Sequence, residues 1–346
     1  MIASGPALVE RVRVLLPEKI DAVLPEGQVT VLRGRSMGCD WIVTCVPPLG
    51  TDVRALERAV VHALQNVIDQ MSNWEADSLI TRFNRAAPGS WLNMPPEFAQ
   101  VLGCALLVAR ASDGAMDPTA GELARLWGFG AQGRHHHDGF ALPAAQDIAA
   151  ARERSGWRKL PVDADAFRVQ QRGGVELDFS AVAKGFGVDE VCRVLRETHV
   201  THHLVEIGGE LRGAGLKPEG QPWWVDVEQP ADCASVIRTR VALHGQAIAT
   251  SGDYLQGYTA EGHRYSHCID PRTGRPIDNG VRSVTVLHGS CMEADAWATA
   301  LMVLGVDAGL ALAEAERLAA RWIVQTDDDV TEHCSSAWTA LIADAS

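Results

Sequence analysis

Residues 265–276 read Tyr265-Ser266-His267-Cys268-Ile269-Asp270-Pro271-Arg272-Thr273-Gly274-Arg275-Pro276. This stretch is too polar for a core strand and carries too many functional groups for a linker. It places a histidine, an acid and two arginines around a Pro/Gly turn. Arg272 and Arg275 could bind phosphate or a partner peptide, and they could equally hold the turn through carboxylate pairs. The stretch therefore predicts a site that handles an anionic ligand.

A short apolar helix downstream carries two oxygen groups on one face. Residues 293–301 read Glu293-Ala294-Asp295-Ala296-Trp297-Ala298-Thr299-Ala300-Leu301. Asp295 and Thr299 are four residues apart, so they share a helix face. A carboxylate and a hydroxyl are hard ligands that suit Mg²⁺. The competing interpretation is an acid favoured by the helix dipole beside a packed threonine.

A third candidate segment is Glu176–Gly185, a strand that leads into a helix start. Asp178 or Ser180 is predicted to cap this helix, and Lys184 adds a positive charge. Free N–H groups at a helix start bind anions. The GxxxxGK spacing of a Walker A loop is absent. A plain capped helix with an exposed lysine is the alternative.

Strands and helices mix along the chain without regular βαβ alternation, which predicts an α+β fold of mixed sheets with packed helices. Strands are predicted at Val29–Leu32, Trp41–Val46, Leu204–Ile207, Trp223–Glu228, Val236–Leu243, Ala247–Thr250, Ser283–Leu287, Trp322–Gln325 and Trp338–Ile342. Helices are predicted after Thr51-Asp52, over Pro96–Ser112, from Ser180 to Leu195, and over Met292–Val303 and Ala308–Arg317. Gly208-Gly209 is interpreted as a bulge or close backbone contact, and no GxGxxG supports a Rossmann fold.

Composition limits the function classes. The formal net charge of −13 argues against non-specific nucleic-acid binding. The eight cysteines form no CxxC pair, which disfavours a zinc cluster. We expect a loosely held arm over residues 1–28 and one catalytic unit over 29–346. No signal peptide or membrane span is predicted. The chain is therefore interpreted as cytoplasmic, although a chain trimmed of its leader would look the same and be periplasmic.

Several ordered motifs resemble the ApbE family, the FAD:protein FMN transferases, over roughly residues 29–342. They are Met37-Gly38 with Trp41, Met71–Trp74 with Asp77-Ser78 and Arg82–Asn84, Gly114–Thr119 with Leu126–Phe129, Leu177-Asp178 with Ala183–Gly185, Ile207–Glu210, Ile248–Tyr254, and the two stretches quoted first. The resemblance implies an ApbE/T-fold-like single unit. It also implies Mg²⁺-dependent transfer of FMN from FAD to a Thr or Ser of an acceptor protein, with AMP as the leaving product.

The resemblance also implies roles for single residues. The metal ligands fall on Asp295, Thr299 and the backbone carbonyl of Ala181. His267 matches the histidine that acts as a base. The flavin contacts fall on Met37, Trp74, Ala115, Met116, Asp117, Asp178, Lys184 and Ile269. Trp74 stands where many members have Tyr, and either ring offers a flat face for stacking.

Departures from the family pattern and two other functions stay open at this point. Ala298 stands where some members carry a further acid, Cys268 replaces an aliphatic residue, and Phe179-Ser180 replaces the commoner Leu-Gly. Water instead of a protein hydroxyl would make the chain an FAD pyrophosphatase. A flavin-binding carrier without turnover is the non-enzymatic alternative. The sequence does not fix the oligomeric state, and the Gly-flanked His135–His137 is interpreted as a solvated insertion.

Overall fold

The computed structural model describes residues 12–15, 23–131, 134–230, 236, 238–254, 256–326 and 329–342. The strands are β1 (Val12–Leu15), β2 (Thr30–Ser36), β3 (Cys39–Cys45), β4 (Trp91–Asn93), β5 (Val162–Asp163), β6 (Arg168–Gln170), β7 (His203–Ile207), β8 (Glu210–Ala214), β9 (Trp223–Asp226), β10 (Arg238–Leu243), β11 (Ala247–Gly252), β12 (Gly257–Ala260), β13 (His263–Ser266), β14 (Ile269–Asp270), β15 (Arg275–Pro276), β16 (Val281–His288), β17 (Ala319–Gln325) and β18 (Val330–Cys334). The α-helices are α1 (Val53–Met71), α2 (Leu79–Asn84), α3 (Pro96–Ala111), α4 (Gly121–Leu126), α5 (Ala145–Arg154), α6 (Ala183–Glu197), α7 (Cys291–Ala315) and α8 (Ser336–Ala340), and a 3₁₀ turn covers Trp157–Lys159.

An eight-stranded sheet forms the centre of the fold. Its order is β18-β17-β16-β11-β8-β7-β3-β2, and every neighbouring pair is antiparallel. Two three-stranded sheets and the hairpins β12–β13 and β14–β15 surround it. This mixed architecture confirms the predicted α+β class.

Helices α1, α6 and α7 cover the sheet because each presents an apolar face. In α1 the buried positions include Leu56, Val60, Leu64 and Val67, which keep helical spacing. Asp52 begins the helix as predicted, since its side chain accepts hydrogen bonds from two backbone N–H groups. The core thus lies between the sheet and these helices.

Helix α7 is long and apolar enough to cross a membrane by length and composition. It packs instead against α3, α6, β11 and β16 inside the protein. Gly305 interrupts it with φ 77° and ψ −173°. The interruption falls between the two predicted helices, Met292–Val303 and Ala308–Arg317, and separates them as expected. Glycine adopts this conformation without steric cost.

Two local predictions are wrong. The predicted strand Trp338–Ile342 is helix α8, because Ser335 accepts a hydrogen bond from the Trp338 N–H and starts a helical turn. Trp338 is buried as part of this helical turn and does not lie on a strand face. Of the two interpretations of Gly208-Gly209, the bulge is wrong: the pair forms the two-residue turn between β7 and β8, with positive φ at both glycines. The position is closely approached, since a Cβ on Gly208 would lie 2.8 Å from the Cys39 sulfur.

Residues 131–174 contain α5, of which only Ile148 and Ala151 are buried. Within the expected arm, Val12–Leu15 pairs in parallel with β10, and the rest of residues 1–22 lies outside the described residues. The division at residue 28 stays a prediction.

Candidate active site

The turn before α6 is held by the last residue of α2 and by the loops after α1 and α3. The Asn84 amide donates to the Leu177 carbonyl at 2.9 Å and accepts from the Leu177 N–H at 2.7 Å. Asn73 donates to the same carbonyl at 3.2 Å. The Asp178 N–H donates to Pro118 O at 2.8 Å. The loops after α1 and α3 therefore meet the segment that carries Asp178.

Asp178 does not cap α6, contrary to the prediction. Its carboxylate accepts from the Ser180 N–H at 2.7 Å, which forms a tight turn before the helix. Helix α6 begins only at Ala183, and its N-cap residue, Val182, makes no side-chain cap bond. Ala181 consequently lies in the turn and not in the helix.

Asp295 supplies the side-chain acceptor that the start of α6 lacks locally. It is buried, and its carboxylate accepts from the Gly185 N–H at 3.0 Å. Gly185 is the third residue of α6, so its N–H has no acceptor within the helix, and Asp295 supplies one. The Ala181 carbonyl precedes the helix and stands outside its hydrogen-bond ladder, which keeps it as a candidate ligand.

Gly185 allows α6 and α7 to approach this closely. A Cβ at this position would lie 2.3 Å from the Cys291 carbonyl oxygen and 2.9 Å from the Asp295 Cβ. Thr299, one turn beyond Asp295, lies 3.1 Å from the Ser251 hydroxyl. Of the predicted metal ligands, Asp295 thereby contacts the first turn of α6, whereas Thr299 contacts β11 through Ser251.

Two buried acids share one ammonium group beside this junction. Lys184 forms an ion pair with Glu210, which begins β8 and is buried. Burial raises the pKa of Glu210 to about 7, with Lys184 opposing the rise and Asp295 adding to it. Burial likewise raises the pKa of Asp295. Burial opposes the charge of Lys184, but Glu210 and Asp295 together hold its pKa above the ordinary value.

The two buried acids, Asp295 and Glu210, outnumber the one ammonium of Lys184, so the site suits a cation such as Mg²⁺. The described residues contain no group of three or more His, Cys, Asp or Glu side chains that could hold a metal. A site with one carboxylate, one hydroxyl and one carbonyl matches Mg²⁺, which keeps several waters and takes phosphate oxygens. The donor set therefore fits the predicted ion, with Asp295, Thr299 and Ala181 as candidate ligands.

Two of the expected flavin contacts, Met37 and Trp74, lie in loops. Met37 sits in the two-residue turn between β2 and β3 with φ 51°. Its terminal methyl lies against α6, since a Cβ on Gly187 would be 2.8 Å from it. Trp74 is 57% exposed, and the guanidinium of Arg134 lies 4.8 Å from its ring. An exposed indole of this kind can stack on a flat ligand.

The loop Ala115–Asp117 is held by burial and by hydrogen bonds of its own. Ala115 and Met116 are buried. Asp117 accepts from Thr119 through one carboxylate oxygen and from the Trp157 N–H, at 2.9 Å, through the other. Asp117 therefore shapes the loop through its own hydrogen bonds.

His267 follows β13, and its Nδ1 lies 3.0 Å from the Gln256 carbonyl. Because a carbonyl only accepts, Nδ1 carries the proton and Nε2 holds the free lone pair. The Cys268 sulfur lies 3.8 Å from Nε2. Burial opposes protonation, but the neighbouring Cys268 and the Gln256 carbonyl leave the pKa of His267 above its ordinary value. Ile269 pairs with Pro276 in the following hairpin.

The remaining polar groups of the opening stretch hold its turn. Arg272 pairs with Asp270 at 2.9 Å, which favours the structural alternative for this arginine. His135 is not a solvated residue as predicted, because its ring stacks on Tyr258 with centroids 4.7 Å apart. His136 and His137 are exposed.

Sequence reasoning missed four residues that build the site. Asn73 and Asn84 fix the Leu177 turn, Glu210 holds Lys184, and Asp189 accepts from the N–H groups of Cys291 and Met292 at the start of α7. Asn73, Asn84 and Glu210 occur in the quoted motifs. Their spacing alone indicated no contact, because each partner lies far away in the sequence.

Comparisons with known proteins give the same picture as the geometry. The ApbE family profile matches residues 37–322. A FAD:protein FMN transferase of Vibrio cholerae is 36% identical over 313 residues, which cover 90% of this chain and 92% of the relative. The Escherichia coli protein of the same name is 32% identical over 87% of this chain and 86% of its own length.

Solved structures agree with these matches. The apo form of the Pseudomonas stutzeri flavinyl transferase ApbE superposes with a TM-score of 0.83 at 35% identity, covering 93% of this chain and 99% of that one. The flavin transferase ApbE of Vibrio cholerae gives a TM-score of 0.83 at 36% identity, with coverage of 91% and 99%. With the site geometry and both kinds of match in agreement, the chain belongs to the ApbE family.

Proposed function

We propose that this protein is an enzyme that transfers FMN from FAD to a Thr or Ser hydroxyl of an acceptor protein. Its relatives bear the name FAD:protein FMN transferase. The observation that carries the proposal is the junction of α6 and α7, where the buried Asp295 accepts from the Gly185 N–H in the first turn of α6, four residues after Ala181. That arrangement supplies oxygen ligands and Lys184 for a pyrophosphate in one place.

The reaction exchanges the phosphoanhydride bond of FAD for a phosphoester bond to the acceptor. The acceptor oxygen forms a bond to the FMN phosphorus of FAD, and the bond from that phosphorus to the bridging oxygen breaks, so AMP leaves with the electron pair. The acceptor proton passes to Nε2 of His267, the nitrogen left free by the Nδ1 contact with Gln256. His267 is the catalytic residue in this scheme.

The remaining side chains bind and orient the substrate. Lys184 places a positive charge at the start of α6, beside the expected position of the phosphates. Trp74 offers its exposed ring to the isoalloxazine, and Met37 offers its thioether. Ala181, Asp295 and Thr299 would hold Mg²⁺, which when bound neutralises the pyrophosphate and the leaving AMP.

One reaction mixture tests the proposal against its alternatives. The protein is incubated with FAD, Mg²⁺ and a fragment of a flavin-acceptor protein. The products are then separated and identified by mass spectrometry. Transfer predicts AMP together with a flavin-linked fragment. The matched control is the same fragment with its target Thr or Ser changed to Ala, which should stay unmodified.

The other outcomes contradict the proposal. AMP and free FMN in equal amounts, with or without the fragment, would identify a pyrophosphatase. Bound but intact FAD would identify a carrier. Omission of Mg²⁺ tests the metal separately, because transfer that continues in EDTA would remove the ion from the scheme.

A further inference from the structure

His267 is tied to its own hairpin through one strong hydrogen bond. Its Nδ1 donates to the carbonyl of Gln256, which lies just before β12. The Cys268 sulfur, 3.8 Å from Nε2, is a weak partner. A single hydrogen bond fixes one ring nitrogen but lets the imidazole plane pivot about it. The direction of the Nε2 lone pair therefore needs a second contact.

The ring of Phe129 supplies that contact from a distant part of the chain. Phe129 follows α4, and its ring centroid lies 6.3 Å from that of His267, with the two planes 68° apart. Edge-to-face rings at centroid distances of about 4.5–7 Å attract each other. The imidazole is therefore bordered by the Gln256 carbonyl at one ring nitrogen and by an aromatic ring.

Phe129 is itself held in place by its backbone. Its N–H donates to the Ala124 carbonyl at 2.9 Å, and the His135 N–H donates to the Gly128 carbonyl at 3.1 Å. Gly128 has φ 78°, and a Cβ there would lie 2.7 Å from the His135 nitrogen. A corner packed this closely leaves Phe129 little room to move.

The same corner is joined to the hairpin that leads to His267. The Phe129 ring packs on Tyr258 of β12 with centroids 5.5 Å apart. The Trp127 indole N–H donates to the Gly274 carbonyl at 2.8 Å, in the turn that follows His267. The corner after α4 therefore contacts the chain on both sides of His267.

We propose that Phe129 is a positioning residue for His267, whose ring stops the imidazole from pivoting about its Nδ1 hydrogen bond and keeps Nε2 directed at the acceptor hydroxyl. The inference rests on the proposed function, which gives the acceptor proton to His267. Phe129 acts through the imidazole alone. A base displaced by about 1 Å from its reactive position costs about 10²-fold in rate.

Removal of the ring tests the proposal by steady-state kinetics. Phe129→Leu keeps an apolar side chain, so kcat for FMN transfer should fall about tenfold or more while the KM for FAD stays unchanged. Phe129→Tyr retains the ring and should keep the wild-type kcat. Phe140→Leu is the matched control, because Phe140 packs on Tyr258 at 5.5 Å and makes no ring contact with His267. It should also keep the wild-type kcat.

A double variant shows whether Phe129 acts through His267. In the His267→Gln background, Phe129→Leu should cause no further loss of the residual transfer, because the imidazole that it positions is already gone. Losses that multiply would overturn the inference. So would a wild-type kcat in Phe129→Leu, a Phe129→Tyr variant as slow as Phe129→Leu, or a raised KM with unchanged kcat. Thermal unfolding confirms that each variant is folded.

An NMR signal separates this inference from the proposed function. The Cε1–Hε1 signal of His267 is identified by its absence from His267→Gln. It should shift in Phe129→Leu, because the ring current of Phe129 is lost, and stay in place in Phe140→Leu. An unchanged signal in Phe129→Leu would overturn the inference whether or not the protein transfers FMN. A shifted signal in a protein that transfers no FMN would refute the proposed function and leave the ring contact standing.

Discussion

At the scale of single residues, the site depends on charges that are buried and incompletely balanced. Asp295 and Glu210 are both buried, and one ammonium, Lys184, lies beside them. Burial of an uncompensated carboxylate is unfavourable, so such a group persists where a ligand supplies the missing charge. Sequence spacing identified Asp295 and Thr299 as a pair but could not show that Glu210 adds a second acid.

Asp295→Asn removes the negative charge at position 295 but keeps the size and shape of the side chain. The amide oxygen can still accept from the Gly185 N–H, so the helix junction should remain folded with a similar thermal midpoint. Loss of the charge should lower Mg²⁺-dependent turnover by about 10² or more, as for removal of one electrostatic contact to a transition state. Turnover as a function of Mg²⁺ concentration measures this, and wild-type turnover in the variant would contradict the metal assignment.

His267 should impose a pH dependence. Only the neutral ring can accept the acceptor proton, and the pKa of His267 lies above its ordinary value of 6.5. We therefore expect kcat/KM to fall as the pH drops through that raised pKa, with the midpoint above 6.5. His267→Gln should bind FAD normally and lose about 10²-fold or more in transfer. If His267→Gln shows the same fall of kcat/KM at low pH, the titration belongs to another group.

At the scale of elements, the site is a junction of two helix starts. Asp189 in α6 accepts from Ser290 Oγ at 2.8 Å and from two N–H groups at the start of α7. Hydrophobic spacing predicted both helices, including the break in α7. It could not predict the start of α6, because Asp295, far along the chain, replaces the local cap that Asp178 was expected to provide.

Asp189→Ala should destabilise this junction. It removes three accepted hydrogen bonds and leaves the Arg212 ion pair without its acid. By analogy with the loss of a helix cap and of a buried acceptor, we expect the free energy of unfolding to fall by about 1–3 kcal/mol. Urea unfolding measures the change. Asp69→Ala, at an exposed position of α1, is the control and should change stability little.

Gly185→Ala tests the close approach itself. Its new methyl would overlap the Cys291 carbonyl, so α6 and α7 must separate. We expect a lower melting temperature and weaker Mg²⁺-dependent FAD turnover together. Gly103→Ala in α3 is the matched control, because a Cβ there meets nothing within 4 Å. Wild-type behaviour in Gly185→Ala would show that the junction has spare room.

At the scale of the whole molecule, the active site is assembled from segments that are distant in sequence. The α+β class followed from the mixture of strand and helix patterns, and the family motifs pointed to most of the candidate residues. Their meeting depends on hydrogen bonds such as Asn84 to Leu177 and Asp178 to Pro118, which no local pattern encodes. Short elements such as α8 depended on one buried tryptophan, so periodicity misassigned them.

The central claim is that one protein hydroxyl takes the FMN half of FAD. Intact mass spectrometry of an acceptor fragment, after incubation with enzyme, FAD and Mg²⁺, tests it most directly. We predict that the fragment gains the mass of FMN less one water, that AMP appears in equal amount, and that both signals disappear with His267→Gln. An unmodified fragment alongside free FMN and AMP would contradict the account.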